Sequence, residues 1–249
     1  MYAYRDRLDP VELGFTDRLG GVSGAPWASL NLALDGGDAP AAVAENWRLL
    51  VADFAPGARL ADMHQVHGNA VAVIADDDAP RPTSDALVTA TPGVVLAVRA
   101  ADCVPILLAD PVAGVIGAAH AGRNGVASGV ASAAATAMRE LGATEITAWI
   151  GPHVCGACYE VPQEMHDSFV AQIPAAAART SWGTPALDLG TAVADQLRGA
   201  GVAVVDAARC TRESADLYSF RRDGEHAGRH AGVITLAPAT RPSNGRHDE

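Results

Sequence analysis

Short runs of Val, Ile and Leu alternate along the chain with Ala-rich segments that have helical spacing. Because the apolar runs are almost continuous, they indicate strands whose two faces are both covered. The predicted strands are 70–74, 94–98, 104–108, 115–120, 146–150, 202–205 and 233–236. The pattern therefore predicts buried sheets with helices packed against them.

Two segments between these strands have the pattern of helices. Residues 126–141 are dense in Ala, and Gly142 follows as a C-terminal stop. Residues 188–198 carry apolar side chains at i, i+4 and i+8, which is the spacing of an amphipathic helix. No repeat and no Pro- or Gly-rich linker divides the chain. We therefore expect an α/β (α+β) fold, formed as a single layered domain over 1–236 with mixed β-sheets flanked by helices, and a flexible C-terminal tail at 237–249.

Composition and charge narrow the classes of function. The 249 residues include 18 Lys and Arg against 29 Asp and Glu, a formal net charge of −11, which argues against a nucleic-acid polymer or an anionic membrane as partner. The first ten residues are charged, so no signal peptide is visible, and the apolar run at 94–109 is broken and too short to span a membrane. We expect a cytoplasmic protein. Its four Cys are more typical of thiols or metal ligands than of a disulfide framework.

Three segments place potential metal ligands beside turns at the ends of apolar strands, namely 64–68, 101–105 and 118–122. Cys103 in the second segment and His120 in the third are 17 residues apart, and adjacent strands would bring their side chains together. Zinc prefers thiolate and imidazole ligands, and a catalytic zinc site uses three protein ligands and one open position. The alternative is that Cys103 packs as a small buried hydrophobic residue while the histidines make ordinary hydrogen bonds.

The first of these segments offers two histidines, His64 and His67. In an extended segment their side chains point to opposite faces, so we expect one of the two to be structural. Their spacing alone leaves open which of them would be the metal ligand.

A second cysteine motif lies at Cys155 and Cys158, which have the CxxC spacing. A zinc or redox role for such a pair usually comes with a second CxxC, a nearby His pair or a thioredoxin-like βαβ unit. The sequence shows none of these around the pair, so the motif by itself gives little support to either role.

Arginines gather towards the C-terminal end, at Arg221, Arg222 and Arg229. In an acidic chain such a cluster could bind an anion such as phosphate, because guanidinium groups make planar, bidentate contacts. The alternative is that nearby acids neutralise the arginines at the surface. These acids are Asp216, Asp223 and Glu225.

A series of short motifs occurs in a fixed order along nearly the whole chain. They lie at 20–23, 29–32, 65–68, 84–86, 101–106, 119–122, 150–152, 159–161, 210–211 and 219–223. Together they resemble the YfiH-like family, whose members are also known as laccase-domain proteins, polyphenol oxidases, purine nucleoside phosphorylases and peptidoglycan editing factors. The resemblance implies an α/β fold of layered sheets flanked by helices, similar to that of Cys–His toxins with deamidase activity.

The resemblance implies a catalytic zinc site formed by His67, Cys103 and His120. It thereby selects His67 over His64. Asp102 and Gln65 are expected to contact these ligands and hold them in position without binding the metal.

The substrate side is expected to use basic and polar residues, with the family's Asn-Arg pair appearing here as Asn46-Trp47-Arg48. The residues expected to bind substrate or phosphate are Arg48, Asn31, Arg221 and Arg222. One motif departs from the family, since His-Ala-Gly-Trp-Arg-Gly is replaced by His-Ala-Gly-Arg-Asn-Gly and Arg123 stands where the family has Trp.

The activity implied by the resemblance is zinc-dependent phosphorolysis of purine nucleosides, with an adenosine deaminase side activity. The implied substrates are phosphate with adenosine, inosine, guanosine or methylthioadenosine.

Three alternatives remain at this point. The first is a copper-dependent polyphenol oxidase (laccase) with Cu²⁺ as cofactor, although none of the eight His forms a His-x-His pair. The second is a metal-free hydrolase with Cys103 as nucleophile and His120 as base. The third is a non-enzymatic role as a peptidoglycan-editing factor.

Overall fold

The computed structural model describes residues 1–75 and 80–237. Its strands are β1 (Tyr2–Leu8), β2 (Val11–Thr16), β3 (Arg59–Ala61), β4 (Val71–Val73), β5 (Ala86–Thr89), β6 (Val94–Ala100), β7 (Val104–Asp110), β8 (Val115–Ala121), β9 (Thr147–Ile150), β10 (Ala177–Arg179), β11 (Pro185–Leu187), β12 (Ala203–Asp206) and β13 (His230–Leu236). Its α-helices are α1 (Pro40–Phe54), α2 (Arg123–Ala127), α3 (Val130–Glu140), α4 (Gln163–Gln172), α5 (Leu189–Gly199) and α6 (Phe220–Asp223). Pro174–Ala176 and Gly224–His226 form single 3₁₀ turns.

The strands form two large mixed sheets and one small hairpin. One sheet has the order β1-β2-β13-β6-β3 and the other the order β12-β9-β7-β8-β5-β4, while β10 and β11 pair with each other. In each large sheet the inner strands pair antiparallel, and parallel pairs occur at the edges, where β3 joins β6, β4 joins β5 and β12 joins β9. The expectation of mixed sheets is confirmed.

Alternating side chains on the strands explain why the molecule has four layers. Leu96 of β6 and Leu107 of β7 belong to one buried cluster between the two large sheets. The next residue back on each strand points the other way, so Val95 packs with the apolar face of α1, and Ile106 packs with the cluster that includes α3 and α5. Strands that are buried on both faces account for the nearly continuous apolar runs of the sequence.

One predicted element differs from the structure. The helix expected over 126–141 is two helices, α2 and α3, separated at Ser128 and Gly129. Gly129 has φ 77°, a left-handed conformation that glycine adopts without steric cost and that interrupts the helical hydrogen bonds. The single-helix prediction was therefore wrong. The flexible tail predicted at 237–249 falls almost wholly outside the described residues.

Among residues 1–75 and 80–237, no helix combines the length and the apolar character needed to cross a bilayer.

Candidate metal centre and its cavity

Three potential metal ligands meet where the ends of neighbouring strands converge. Cys103 immediately precedes β7, and His120 lies next to the end of β8, which pairs antiparallel with β7. His67 comes from the loop between β3 and β4. The ligand atoms of the three side chains all lie within 4.8 Å of one another. The predicted grouping of His67, Cys103 and His120 is present, and His64, which is exposed, is not part of it.

One carboxylate holds two of these ligands in place. Asp85 Oδ1 lies 2.9 Å from Nδ1 of the buried His120, which leaves the other ring nitrogen, Nε2, for a metal. The same carboxylate accepts hydrogen bonds from the backbone amides of Val66, His67 and Gly68 at 3.2, 2.9 and 2.7 Å. Burial alone would raise the pKa of Asp85, but these hydrogen bonds hold that pKa below its ordinary value, so Asp85 is ionised.

His67 completes the cluster from an unusual backbone conformation. Its φ is 61°, and Asp102 beside Cys103 has φ 86°. These are the two non-glycine residues with positive φ in the described parts of the chain, and such conformations concentrate at functional sites. The conformation places His67 Nε2 3.8 Å from Cys103 Sγ, with its ring edge-on to that of His120.

Gly122 gives this arrangement the room it needs. A Cβ at this position would lie 2.5 Å from His67 Cδ2 and 3.1 Å from Cys103 Sγ, so any side chain must displace the His67 ring. The glycine that follows His120-Ala121 is therefore part of the metal centre's geometry, although it supplies no ligand.

We expect Gly122→Ala to weaken metal binding by about 10- to 100-fold, which is the usual cost of disturbing the groups that orient a ligand. The measurement is the metal dissociation constant from competition with a chelator. Gly199→Ala is the matched control, because nothing lies within 4 Å of a Cβ at Gly199. Equal affinities in the two variants would contradict the role given to Gly122.

The protonation of the cluster suits a cation. Burial lowers the pKa of His120, which keeps its imidazole neutral as a ligand must be. Burial and the neighbouring carboxylate of Asp102 raise the pKa of Cys103 to about 12, so the thiol is protonated at neutral pH unless a cation binds beside it. The donor set of two imidazoles and one thiol therefore fits a borderline or soft metal ion.

The metal centre opens into a cavity of about 860 Å³, which lies within the range of small-molecule sites. Apolar surface comes from Leu34, Tyr159 and Phe220, and the exposed Phe220 ring offers a face to a planar ligand. The charged residues in its lining are Asp35, Arg99, Asp102, Arg221, Glu225 and Arg229.

Three arginines place positive charge in the cavity wall, next to the acidic side chains of Asp35, Asp102 and Glu225. Burial lowers the pKa of Arg99 and Arg229, but both remain cationic at neutral pH because an arginine titrates so high. The Arg229 guanidinium donates from Nη1 to the carbonyls of Ala227 and Gly228. Arg221 lies over the Tyr159 ring, 4.6 Å from its centroid, and donates to a backbone carbonyl.

The other residues predicted to support the site divide into two groups. Gln65, Asp102 and Arg221 line the cavity. Asp102 accepts hydrogen bonds of 2.6 Å from both the Thr211 hydroxyl and the Arg221 amide, which fixes the start of α6 at the cavity wall. Gln65 exchanges two hydrogen bonds with the backbone of Arg99, at 2.8 and 3.0 Å.

Asn31, Arg48 and Arg222 are not among the lining residues. Asn31 is buried, and its Oδ1 accepts a hydrogen bond from the Arg229 amide, so it positions Arg229. The Arg48 side chain is 63% exposed and pairs with Glu45, whereas Arg222 pairs with Asp223 and donates to backbone carbonyls. The described contacts of these three side chains are therefore with other parts of the protein and not with the cavity.

Asn46 and His120 also had expected roles, and both make defined contacts within the protein. Asn46, from the expected Asn-Arg pair, is buried and bonds to Ser23 and to the backbone of the 22–31 segment. In the hydrolase alternative, His120 was the expected base. Its Nδ1 is engaged by Asp85, and the histidine nitrogen in contact with the Cys103 thiol is Nε2 of His67.

Sequence reasoning missed Asp85, Arg99 and Tyr159 as site residues, and treated Arg229 only as part of a basic cluster. Asp85 and Tyr159 lie in motifs that contributed to the family resemblance, which was the available signal. Arg99 carried a weaker one, because it is a charge in the middle of an otherwise apolar run.

The layered sheets and the His-Cys-His cluster define a class of α/β protein with a candidate metal centre in the lining of a cavity. The family model described as "Multi-copper polyphenol oxidoreductase laccase" matches residues 12–237. The chain belongs to this family.

Named relatives and solved structures agree with this assignment. A protein named purine nucleoside phosphorylase from Streptomyces coelicolor is 51% identical over 244 residues, covering 95% of this chain and 100% of the relative. The crystal structure of NMB0706 from Neisseria meningitidis has a TM-score of 0.84 at 33% identity, covering 94% of this chain and 98% of that one. The crystal structure of YfiH from Bacillus licheniformis has a TM-score of 0.82 at 28% identity and covers 92% and 93%. The resemblance to the YfiH-like family and its fold are confirmed.

Proposed function

We propose that the protein is a zinc-dependent purine nucleoside phosphorylase that accepts adenosine, inosine, guanosine and methylthioadenosine, with adenosine deaminase as a side activity. The observation that carries the proposal is the meeting of His67, Cys103 and His120 with cationic side chains in one cavity of suitable size. Three relatives that are 44–51% identical are named purine nucleoside phosphorylase, which supports the same reaction class.

Zinc fits the donor set because two imidazoles and one thiolate are ligands that it prefers, and three protein ligands leave one position open. When bound, zinc would supply positive charge and a water of lowered pKa beside the substrate. His67, Cys103 and His120 would hold it, and Asp85 would keep His120 in the correct tautomer and orientation.

Phosphorolysis needs an anion held beside C1′ of the nucleoside. We assign this task to Arg229, with Arg99 and Arg221 adding positive charge around the same cavity. A phosphate oxygen forms a bond to C1′ as the C1′–N9 bond breaks, and the purine leaves with that electron pair and takes up a proton. The products are the free base and the sugar 1-phosphate, which is ribose 1-phosphate for adenosine, inosine and guanosine, and the fixed cations hold the attacking anion in place without reorganising.

Deamination would use the same cavity with a different nucleophile. A water oxygen adds to C6 of adenosine, the 6-amino group leaves as ammonia, and inosine results. Orientation of the purine then decides between the two reactions, because attack at C6 requires the base, and not the sugar, beside the metal ligands.

The test is a panel of the four nucleosides incubated with and without inorganic phosphate, with base release followed by chromatography. We expect release of hypoxanthine from inosine to depend on phosphate and to follow saturation kinetics in phosphate. Release at the same rate without phosphate would replace phosphorolysis by hydrolysis.

A polyphenol oxidase with Cu²⁺ is a second candidate, because the description of the family model names that activity. It predicts oxygen consumption with a phenolic substrate after copper is added. The described cluster offers one site with two histidines and one cysteine, whereas a multicopper oxidase needs several histidine-rich sites. Oxygen electrode measurements on the zinc-loaded and copper-loaded protein separate the two candidates.

A further inference from the structure

A second group of potential metal ligands lies outside the metal centre. It consists of Cys155, Cys158, Cys210 and Glu213, whose ligand atoms all lie within 4.8 Å of one another. The cysteine pair that had little support from its sequence spacing thus acquires two partners from a distant part of the chain. The three cysteines are free thiols.

Two short turns with the same i, i+3 spacing supply these groups. In the first, the amides of Cys158 and Tyr159 donate to the Cys155 carbonyl at 2.9 and 3.0 Å. In the second, the Ser214 amide donates to the Cys210 carbonyl at 3.1 Å. Each turn brings its two ligand-bearing side chains to one side of the backbone, as in the cysteine turns of structural zinc sites.

Backbone contacts hold the two turns side by side. Cys210 forms a parallel β-bridge with His153, and the Thr211 amide donates to the His153 carbonyl at 3.0 Å. Behind the first turn, a Cβ at Gly156 would lie 2.9 Å from Asp188 Cβ, so this glycine lets the turn pack closely on the start of α5. The backbone contacts of the two turns therefore bring the four side chains together.

We propose that Cys155, Cys158, Cys210 and Glu213 bind a second zinc ion, which has a structural role. Zn–S bonds of about 2.3 Å in a tetrahedral site place sulfur atoms roughly 3.8 Å apart, so ligand atoms already within 4.8 Å need only small movements. Three thiolates and a carboxylate complete the four ligands of a closed site. Cys158 is buried and Glu213 is exposed, which gives the ion a route in from solvent.

The proposed site lies next to residues that form the cavity wall. Tyr159, next to Cys158, lines the cavity and supports Arg221, while Thr211, next to Cys210, donates its hydroxyl hydrogen to Asp102. An ion bound at the two turns would tie together the segments that carry these contacts. The four ligands are thus positioning residues, and none of them is expected to touch substrate.

The test is zinc analysis of protein purified under reducing conditions, with the Cys103→Ala variant as the background. We expect two zinc ions per chain in the unaltered protein, one in Cys103→Ala, one in Cys158→Ser, and none in the double variant. Cobalt substituted into Cys103→Ala should give strong thiolate charge-transfer absorption, which Cys103→Ala/Cys158→Ser loses. Glu213→Gln, a change at an exposed side chain, should keep the fold and lower zinc affinity by about 10-fold or more.

One zinc per chain in the unaltered protein, with zinc-free Cys103→Ala, would overturn the proposal. A Cys155–Cys158 disulfide that persists under these reducing conditions would overturn it as well, because the two sulfur atoms could not then act as thiolate ligands. These readouts are independent of phosphorolysis, since they are taken where the first metal centre has already been removed.

Discussion

His67→Ala is expected to remove zinc from the first metal centre and to lower kcat/KM for inosine phosphorolysis by at least ~100-fold. Mutation of a group that hydrogen-bonds to a metal ligand typically lowers metal affinity or activity by about 10- to 100-fold, and we expect the loss of a ligand itself to have a larger effect. The His67 side chain is exposed in the cavity, so its removal leaves the hydrophobic clusters intact. Zinc content and initial rates measured on the same preparation check the expectation.

His64→Ala is the matched control for this variant. His64 lies in the same segment, is also exposed, and joins the structure through backbone hydrogen bonds to Pro82 and Ser84, which alanine retains. We expect it to keep both zinc and activity. Loss of zinc in His64→Ala with retention in His67→Ala would reverse the assignment of the ligand.

Arg229→Met is expected to raise the KM for phosphate with a much smaller effect on the KM for nucleoside. A hydrogen bond to a charged group contributes about 1.5–3 kcal/mol, which corresponds to roughly 10- to 150-fold in binding. Arg229 is half-buried and is held by Asn31 through its backbone, so its guanidinium is presented to the cavity in a fixed place. Steady-state kinetics with phosphate and inosine varied in turn provide the measurement.

Arg48→Met tests whether phosphate is bound by Arg229, as the structure suggests, or by Arg48, as the sequence motif predicts. Arg48 is an exposed member of an ion pair with Glu45 and does not line the cavity. We expect no change in either KM. A large rise in the phosphate KM of Arg48→Met, together with a normal value for Arg229→Met, would show that the anion binds elsewhere.

Strands β6, β7, β8 and β13 could be predicted from sequence because they are buried along their whole length, and continuous apolar runs record that burial directly. Helix α1 and strand β2 have hydrophobic patterns that a search for continuous apolar runs does not detect. Helix α1 buries Val43, Trp47, Leu50 and Phe54, a helical spacing, but the stripe also includes the buried polar Asn46. Strand β2 alternates Val11, Leu13 and Phe15 on its buried positions within a segment that begins close to charged residues.

Cys103 and His120 could be recognised as candidate ligands because a thiol and an imidazole at strand ends are chemically distinctive, whereas the choice of His67 over His64 depended on the family resemblance. The residues that support these ligands were harder to predict. In the sequence Asp85 is like any other acidic residue, and only the folded structure shows that its carboxylate contacts His120 and accepts hydrogen bonds from three backbone amides. The same holds for arginines, whose role depends on whether the fold turns them to the cavity, as with Arg229, or to solvent, as with Arg48. For the CxxC pair, the sequence and the structure differ most in what they indicate. Its partners Cys210 and Glu213 are more than fifty residues away in sequence, so the spacing of the pair alone could not predict the group.

The most direct test of the proposed activity is the identity of the sugar product, measured by phosphorus NMR on inosine and inorganic phosphate with the zinc-loaded protein. The proposed reaction predicts a ribose 1-phosphate resonance that grows in equal amount to the hypoxanthine released, while inorganic phosphate falls. Free ribose with unchanged phosphate would contradict it, because C1′ would then have been attacked by water.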